Sequence, residues 1–209
     1  MLFDGTISAI MPTRGRPQFA RQALACWMDQ RIGAERQIVI VDDLDCRSFA
    51  GPPALDGLEV VYYLARQRLT VGAKRNLAVA LSRGDLIVHW DDDDWSAPER
   101  LQDQVARLVE SACDVTGYHA ILFRDGGQAY RYSGEAGYAV GTSLLYRRSY
   151  WQACPFLDES EGEDNAFIRP AQHSGKLVTA PAGDLMYATI HPGNTSRREL
   201  WREPYRRVA

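Results

Sequence analysis

The stretch Asp85-Leu86-Ile87-Val88-His89-Trp90-Asp91-Asp92-Asp93-Asp94-Trp95-Ser96-Ala97-Pro98-Glu99 decides how this chain folds. Leu86 to Trp90 is a short apolar run rich in β-formers, the pattern of a strand buried on both faces. Ser96-x-x-Glu99 is a capping-box pattern, and Pro98 suits a first helical turn, so the spacing predicts a helix over 97–110. The four aspartates therefore lie in a strand-to-helix turn. An acidic run is most often a solvated loop or tail, but such a run has neither of these flanks. Four carboxylates this close raise one another's pKa unless a cation or a set of donors neutralises them. Hard cations such as Mg²⁺ and Mn²⁺ are held by carboxylates and by a substrate's phosphates. In an open α/β sheet, ligands bind at the carboxyl ends of strands.

The pattern repeats upstream. Thr6-Ile7-Ser8-Ala9-Ile10-Met11 reads as a strand closed by Pro12, and Arg16-Pro17 opens a helix to about residue 29. Gln37-Ile38-Val39-Ile40-Val41 is a second strand, closed by Asp42-Asp43, and residues 58–64 form a third. Thr70 caps a helix over 71–82, stopped by Gly84. Alternating strands and helices predict a mainly parallel sheet with helices on its faces. After residue 111 the pattern becomes mixed. Residues 114–123 and 129–132 flank Asp125-Gly126-Gly127 as a hairpin, and 137–146 reads as extended. Residues 148–152 and 163–173 read as helical, and 176–180 and 185–190 as extended.

Composition bounds the function. The 209 residues carry a net charge of −3, which gives no argument for nucleic-acid binding. Cys26, Cys46, Cys113 and Cys154 are widely spaced without a CxxC pair. They read as free thiols of a reducing compartment, not a disulfide framework or a zinc site. No apolar run is long enough to span a bilayer, and the N-terminus lacks a secretory pattern. The expectation is a cytoplasmic protein. GxGxxG does not follow the first strand, and GxxxxGK[ST] is absent, which argues against dinucleotide oxidoreductases and P-loop NTPases.

Three strands thus end in polar or charged residues: Pro12-Thr13-Arg14-Gly15-Arg16, Asp42-Asp43 and the aspartate run. With Gly72-Ala73-Lys74-Arg75-Asn76-Leu77-Ala78, Gly162-Glu163-Asp164 and His191-Pro192-Gly193-Asn194-Thr195-Ser196, they occur in the order and at the spacing of one family. Over nearly its whole length the chain resembles a family 2 glycosyltransferase. The resemblance implies the α/β GT-A fold of nucleotide-diphospho-sugar transferases, with a mainly parallel central sheet flanked by helices and a smaller mixed β region. It implies one domain over 1–209, with a nucleotide-sugar-binding half (1–95) and an acceptor-side half (96–209).

The same resemblance implies a metal-dependent, inverting transfer of a sugar from a nucleotide-sugar donor, UDP-linked for preference, to a hydroxyl acceptor. The acceptor would be a glycan, a lipid-linked or a small molecule, and a partner protein could complete its site. Asp91 and Asp93, two residues apart on an extended segment, point the same way. With His191 they are implied to hold Mn²⁺ or Mg²⁺. Asp92 is a contact to donor sugar or ribose, and Asp94 is placed as a helix-start acid. Asp42 and Asp43 would hold ribose and base, although Leu44-Asp45-Cys46 departs from the family's usual turn. Pro12, Thr13, Arg14 and Arg16 would frame the base or diphosphate. Lys74 and Arg75, adjacent on a helix, do not share a face; Arg75 is the favoured nucleotide contact, and Asn76 a holder of a neighbouring loop. Asp164 is implied as general base, with Glu163 orienting the site. His89 and the tryptophans read as structural before functional. Two rivals remain in view. A sugar-nucleotidyltransferase is expected to carry a Gly-rich, Lys-containing loop where Pro12 to Arg16 has one glycine and no lysine. A non-catalytic nucleotide- or sugar-binding module would be marked by loss of the acids, and these are present.

Overall fold

The structure is a computed structural model that describes residues 3–195, 199–200 and 202–208. In chain order the elements are β1 (Thr6–Pro12), α1 (Pro17–Met28), β2 (Glu35–Asp43), β3 (Glu59–Ala65), α2 (Val71–Leu81), β4 (Leu86–His89), β5 (Trp95–Ser96) and α3 (Arg100–Ser111). There follow β6 (Val115–Asp125), β7 (Gln128–Ser133), β8 (Leu145–Arg147), α4 (Arg148–Ala153), α5 (Glu163–His173), β9 (Leu177–Pro181), β10 (Met186–Ile190) and β11 (Tyr205–Val208). The described strands form one sheet, ordered β11-β7-β6-β8-β4-β1-β2-β3, with β9 and β10 joined to β6 and β5 to β10.

The first half is parallel: β1 pairs with β2 and β4, and β2 with β3. Its apolar runs are buried on both faces, as parallel strands covered by helices require. Ile7, Ala9, Met11, Ile38, Ile40, Leu86 and Val88 pack on one face against Trp27 of α1 and Leu101, Val105 and Leu108 of α3. Ile10, Val39, Val41 and Ile87 pack on the other against Ala78 and Val79 of α2 and Phe167 and Ile168 of α5. A third cluster, including Tyr118, Ile121, Phe123 and Met186, lies under the mixed second half.

The elements depart from the sequence reading in four places. The aspartate run is the strand-to-helix turn expected, with the Asp94 amide 3.5 Å from the Asp91 carbonyl, but Asp91 and Asp93 do not lie on the extended segment read for them. The next helix starts at Arg100 rather than Ala97, because Trp95 and Ser96 pair with Tyr187 and Met186 of β10. The capping box is not made: Ser96 Oγ accepts from Arg100, and Glu99 pairs with Arg31. Residues 137–146 are largely irregular, with a 3₁₀ turn at Gly141–Ser143 before the short β8. Finally, β11 adds to β7; its Tyr-Arg-Arg-Val carries no strand alternation to betray it.

Candidate active site

The ends of β1, β2 and β4 and the starts of α2 and α5 open onto one cavity. Its walls include Pro12, Thr13, Arg14, Arg16, Asp43, Lys74, Arg75, all four aspartates of the turn, Glu163 and Asp164. The family motifs of the first half therefore converge on the Glu163-Asp164 pair of the second.

At the β2 end, Asp42 and Asp43 part company. Successive strand residues face opposite sides of a sheet. Asp42 turns inward, where its carboxylate accepts from the Ser48 and Phe49 amides (2.8 and 3.2 Å) and from Tyr62 Oη (3.0 Å). It pins its own loop and does not line the cavity. Burial, with Asp42 beside it, pushes the Tyr62 phenol up to about 12. Asp43 faces the cavity and receives Lys74 Nζ at 2.7 Å, with Arg14 Nε at 3.6 Å. Lys74 also donates to the Thr13 carbonyl (2.7 Å), tying the β1 loop to α2. Asp43 Oδ1 is buried without a protein partner among the described residues.

At the β4 end the four aspartates have different surroundings. Asp92 is fully buried, accepts from Thr13 Oγ1 (2.5 Å) and pairs with Arg16 (2.8 Å). Burial nevertheless pushes its carboxyl up to about 7, against the pull of Arg16. Asp93 Oδ2 gathers Arg16 (2.6 Å), Asn194 Nδ2 (3.1 Å) and His191 Nε2 (3.0 Å). The Gly193 amide donates to His191 Nδ1, so the ring proton sits on Nε2 and is donated to Asp93. Phe19 stacks on the same imidazole, with centroids 4.4 Å apart. Asp94 does not serve a helix start. It accepts from Thr142 Oγ1 and from the Thr189 amide, and burial holds its pKa well above the carboxylate range. Asp91 stands 3.4 Å from Arg75. Burial opposes its charge, but Arg75 and then His89 keep it below its ordinary value.

Arg75 links the two halves of the site. Buried, it also pairs closely with Glu163, whose carboxyl burial raises despite that contact. Lys74 and Arg75, though adjacent on α2, both reach the cavity, since long stems carry their charges to opposite walls. Asp164 lies one residue on in the first turn of α5. A Cβ on Gly141 would collide with its carboxylate, so only glycine lets the 3₁₀ turn approach. Asn76 holds the loop before α5: its Nδ2 donates to the Phe156 carbonyl (2.8 Å), and its Oδ1 accepts from the Phe156 amide (3.0 Å) and Trp151 Nε1 (2.8 Å). His89 is buried against the Gly141 carbonyl (2.6 Å), and Trp90 donates to the Ala23 carbonyl (2.8 Å), so both are structural. The four cysteines are free.

Sequence reasoning missed Arg68, Ser160 and Asn194 among the lining residues. Asn194 had a signal, being within the His191 loop motif. The others sit in irregular segments without one. Ser196 of that motif lies outside the described residues.

A divalent cation fits this corner by charge and donor type. Around the turn, four carboxylates (Asp91, Asp92, Asp93 and Glu163) share two guanidiniums, Arg16 and Arg75, and a fifth, Asp94, is held by Thr142 and the Thr189 amide. The surplus of hard oxygen donors, with an imidazole beside them, is the chemistry that Mg²⁺ or Mn²⁺ takes. A ready cage is not preformed: no three His, Cys, Asp or Glu side chains converge as a ligand set among the described residues.

Solved structures share this architecture. S. aureus TarS 1–349 in complex with UDP-GlcNAc superposes with a TM-score of 0.70 at 19% identity, covering 91% of this chain and 60% of that one. The mannosyltransferase PcManGT from Pyrobaculum calidifontis, in complex with GDP-Man and Mn²⁺, gives 0.65 at 14% identity, covering 90% and 57%. The chain thus spans about 60% of the length of these relatives. Comparison with curated proteins gives no significant match. The model of glycosyl transferase family 2 matches residues 8–168, from within β1 to within α5 and so through the cavity-forming segments just described; this chain belongs to that family.

Proposed function

We propose that the protein transfers a sugar from a nucleotide-sugar donor, UDP-linked for preference, to a hydroxyl acceptor with inversion at the anomeric carbon. The observation that carries this reading is the meeting, around one cavity, of an acidic strand-end turn with a helix-start carboxylate from the other half of the sheet. The relatives solved with UDP-GlcNAc and with GDP-Man and Mn²⁺ support the donor class. In this reading residues 1–95 hold the donor and 96–209 present the acceptor.

The roles follow from the surroundings. Asp43 Oδ1, buried and without a partner among the described residues, accepts the N3–H of the base, while Lys74 fixes the other oxygen. Pro12, Thr13, Arg14 and Arg16 frame the nucleotide. Asp42 acts one step removed, by holding the loop that follows Asp43. Asp91 and Asp93 would hold a divalent cation, which supplies Lewis-acid stabilisation of the leaving nucleoside diphosphate. His191 and Asn194 orient Asp93 through their N–H groups; to ligate through Nε2, His191 would have to give up the proton it donates. Asp92, tied to Thr13 and Arg16, reaches the donor by shaping that wall. Asp164 takes the acceptor's proton as its oxygen bonds to the anomeric carbon and the bond to the diphosphate breaks. Glu163 holds Arg75 against Asp91.

Binding and hydrolysis of UDP-, GDP- and dTDP-sugars, each with and without Mn²⁺, test the reading. UDP-sugar binding strengthened by metal is the expected result. Binding of none of them overturns it. A protein that binds the donor with metal but never transfers or hydrolyses it would be the non-catalytic module instead.

A further inference from the structure

On the opposite face of the second-half sheet, five side chains stand in one row across five strands. Tyr187 pairs with Trp95 on one side and with Leu122 on the other; Leu122 pairs with Arg131, and Arg131 with Arg206. Directly opposed residues share a face, so the row runs aromatic, aromatic, aliphatic, basic, basic. It spans four strand spacings, about 19 Å at about 4.8 Å each. Trp95, Tyr187 and Leu122 are partly buried, while Arg131 and Arg206 are exposed. Arg124, two residues along β6 from Leu122, lies 4.0 Å over the Tyr187 ring. A groove of about 340 Å³ follows the aromatic end, lined by Trp95, Leu122, Arg124, Asp184, Met186 and Tyr187 with Gly183. Phe123 and Ala188, pointing the other way from β6 and β10, line the donor cavity.

We propose that this face binds an anionic saccharide chain, one bearing carboxylate or phosphate groups, as the polymer that carries the acceptor. This rests on the glycosyl-transfer reading above. Three features select the occupant. Like charges placed directly opposite on neighbouring strands repel, and among the described residues neither Arg131 nor Arg206 has an acidic partner, so the pair is relieved by an anion from outside. Trp95 and Tyr187 stack nearly parallel, 5.1 Å apart, with Arg124 over Tyr187, so their ring edges and Trp95 make the apolar wall offered to a sugar. The aromatics sit within a groove and do not protrude, which suits a chain lying along the row and not a flat bilayer surface. Asp184, at the aromatic end, offers an acceptor for sugar hydroxyls. Trp95 directly follows Asp94, so the groove opens one residue from the acidic turn.

The test uses oligogalacturonate as the anionic probe, maltooligosaccharide as the neutral one and phosphatidylglycerol vesicles as a third arm, with UDP binding measured on the same samples. Wild-type protein should bind oligogalacturonate, less tightly as salt rises, and bind the neutral chain more weakly. The double variant Arg131→Ser/Arg206→Ser should weaken oligogalacturonate binding about tenfold and leave UDP binding unchanged. Leu122→Asp, which puts a negative charge in the row, should weaken it as well. Unchanged oligogalacturonate binding in the variants overturns the proposal, as does equal binding of the neutral chain. Binding to vesicles but not to oligogalacturonate overturns it in favour of a membrane surface. A wild-type protein that binds oligogalacturonate but no UDP leaves this face standing and removes the donor reading; the reverse removes only this inference.

Discussion

At the β2 end of the cavity, Asp43 faces Lys74 at 2.7 Å with Arg14 nearby. At the β4 end, Asp91, Asp92, Asp93 and Glu163 share Arg16 and Arg75, with Asp94 beside them. The first corner is balanced within the protein. The second holds more carboxyl groups than the guanidiniums paired with them, and burial raises Asp92, Asp94 and Glu163. A balanced corner can stay rigid before any ligand arrives, which suits recognition of a base. An overcharged corner is completed by what binds, which suits a cation and a phosphate-bearing donor.

The largest expected effect tests the carboxylate that belongs to neither balance. Asp164→Asn should lower transfer by about 10²–10⁴-fold while nucleotide binding, followed by calorimetry, stays as in wild type. Normal transfer by this variant would remove Asp164 as the base.

The comparison itself is sharpened by removing each corner's cation. Arg75→Met leaves Glu163 and Asp91 buried or half-buried without their partner, and should cost about 3–5 kcal/mol in denaturant unfolding. Adding Glu163→Gln should restore little, because Asp91 and its neighbours still repel. Lys74→Met should cost about 3 kcal/mol, less than Arg75→Met because Arg14 remains near Asp43. Here the double variant Lys74→Met/Asp43→Leu should return to within about 1 kcal/mol of wild type, since a neutral pair replaces a neutralised one. Equal recovery at both corners would break the distinction between them.

Mn²⁺ offers the reciprocal measurement. At about 100 times its Kd, it should raise unfolding stability by about 2.7 kcal/mol. Asp93→Asn should abolish that gain, and Asp43→Asn should keep it. Stabilisation that survives Asp93→Asn would move the cation away from the turn.

Much of this arrangement is legible in the sequence. The apolar runs of β1, β2 and β4 are buried on both faces, and uniform hydrophobicity without alternation signals that state directly. The loop-holding role of Asn76 and the structural role of His89 could be read in the same way. Other features were decided by partners distant in sequence. Ser96 left the helix cap for a strand because Met186, ninety residues on, offered it a ladder. Asp94 left the helix start because Thr142 and Thr189 reach it. Thr142 itself lies in a 3₁₀ turn whose contact with Asp94 is set by tertiary structure. Adjacent residues also misled: a helical wheel separates Lys74 from Arg75, yet long side chains cross the gap and line one cavity.

The smallest effect concerns the joint that sets Asp164 against the acidic corner. Thr70 caps α2, its Oγ1 accepting from the Ala73 amide (3.0 Å) and donating to Asp158 (2.5 Å). The Val71 amide donates to Ser160 Oγ (3.3 Å) and the Gly72 amide to the Glu159 carbonyl (2.9 Å), so the α2 N-terminus carries the loop that leads into Gly162 and α5. Gly72 is glycine because a Cβ there would strike the Leu157 carbonyl. Thr70→Ala should therefore cost about 1 kcal/mol of stability, the usual loss for an N-cap. It should also lower kcat severalfold without raising KM for the donor, because it loosens the loop that carries Asp164 and leaves the Asp43 corner intact. Thr70→Ser keeps both hydrogen bonds and should restore both quantities. If Thr70→Ala raised the donor KM and left kcat alone, the α2 N-terminus would belong to the donor side of the cavity, and the separation of the two corners would fail at that joint.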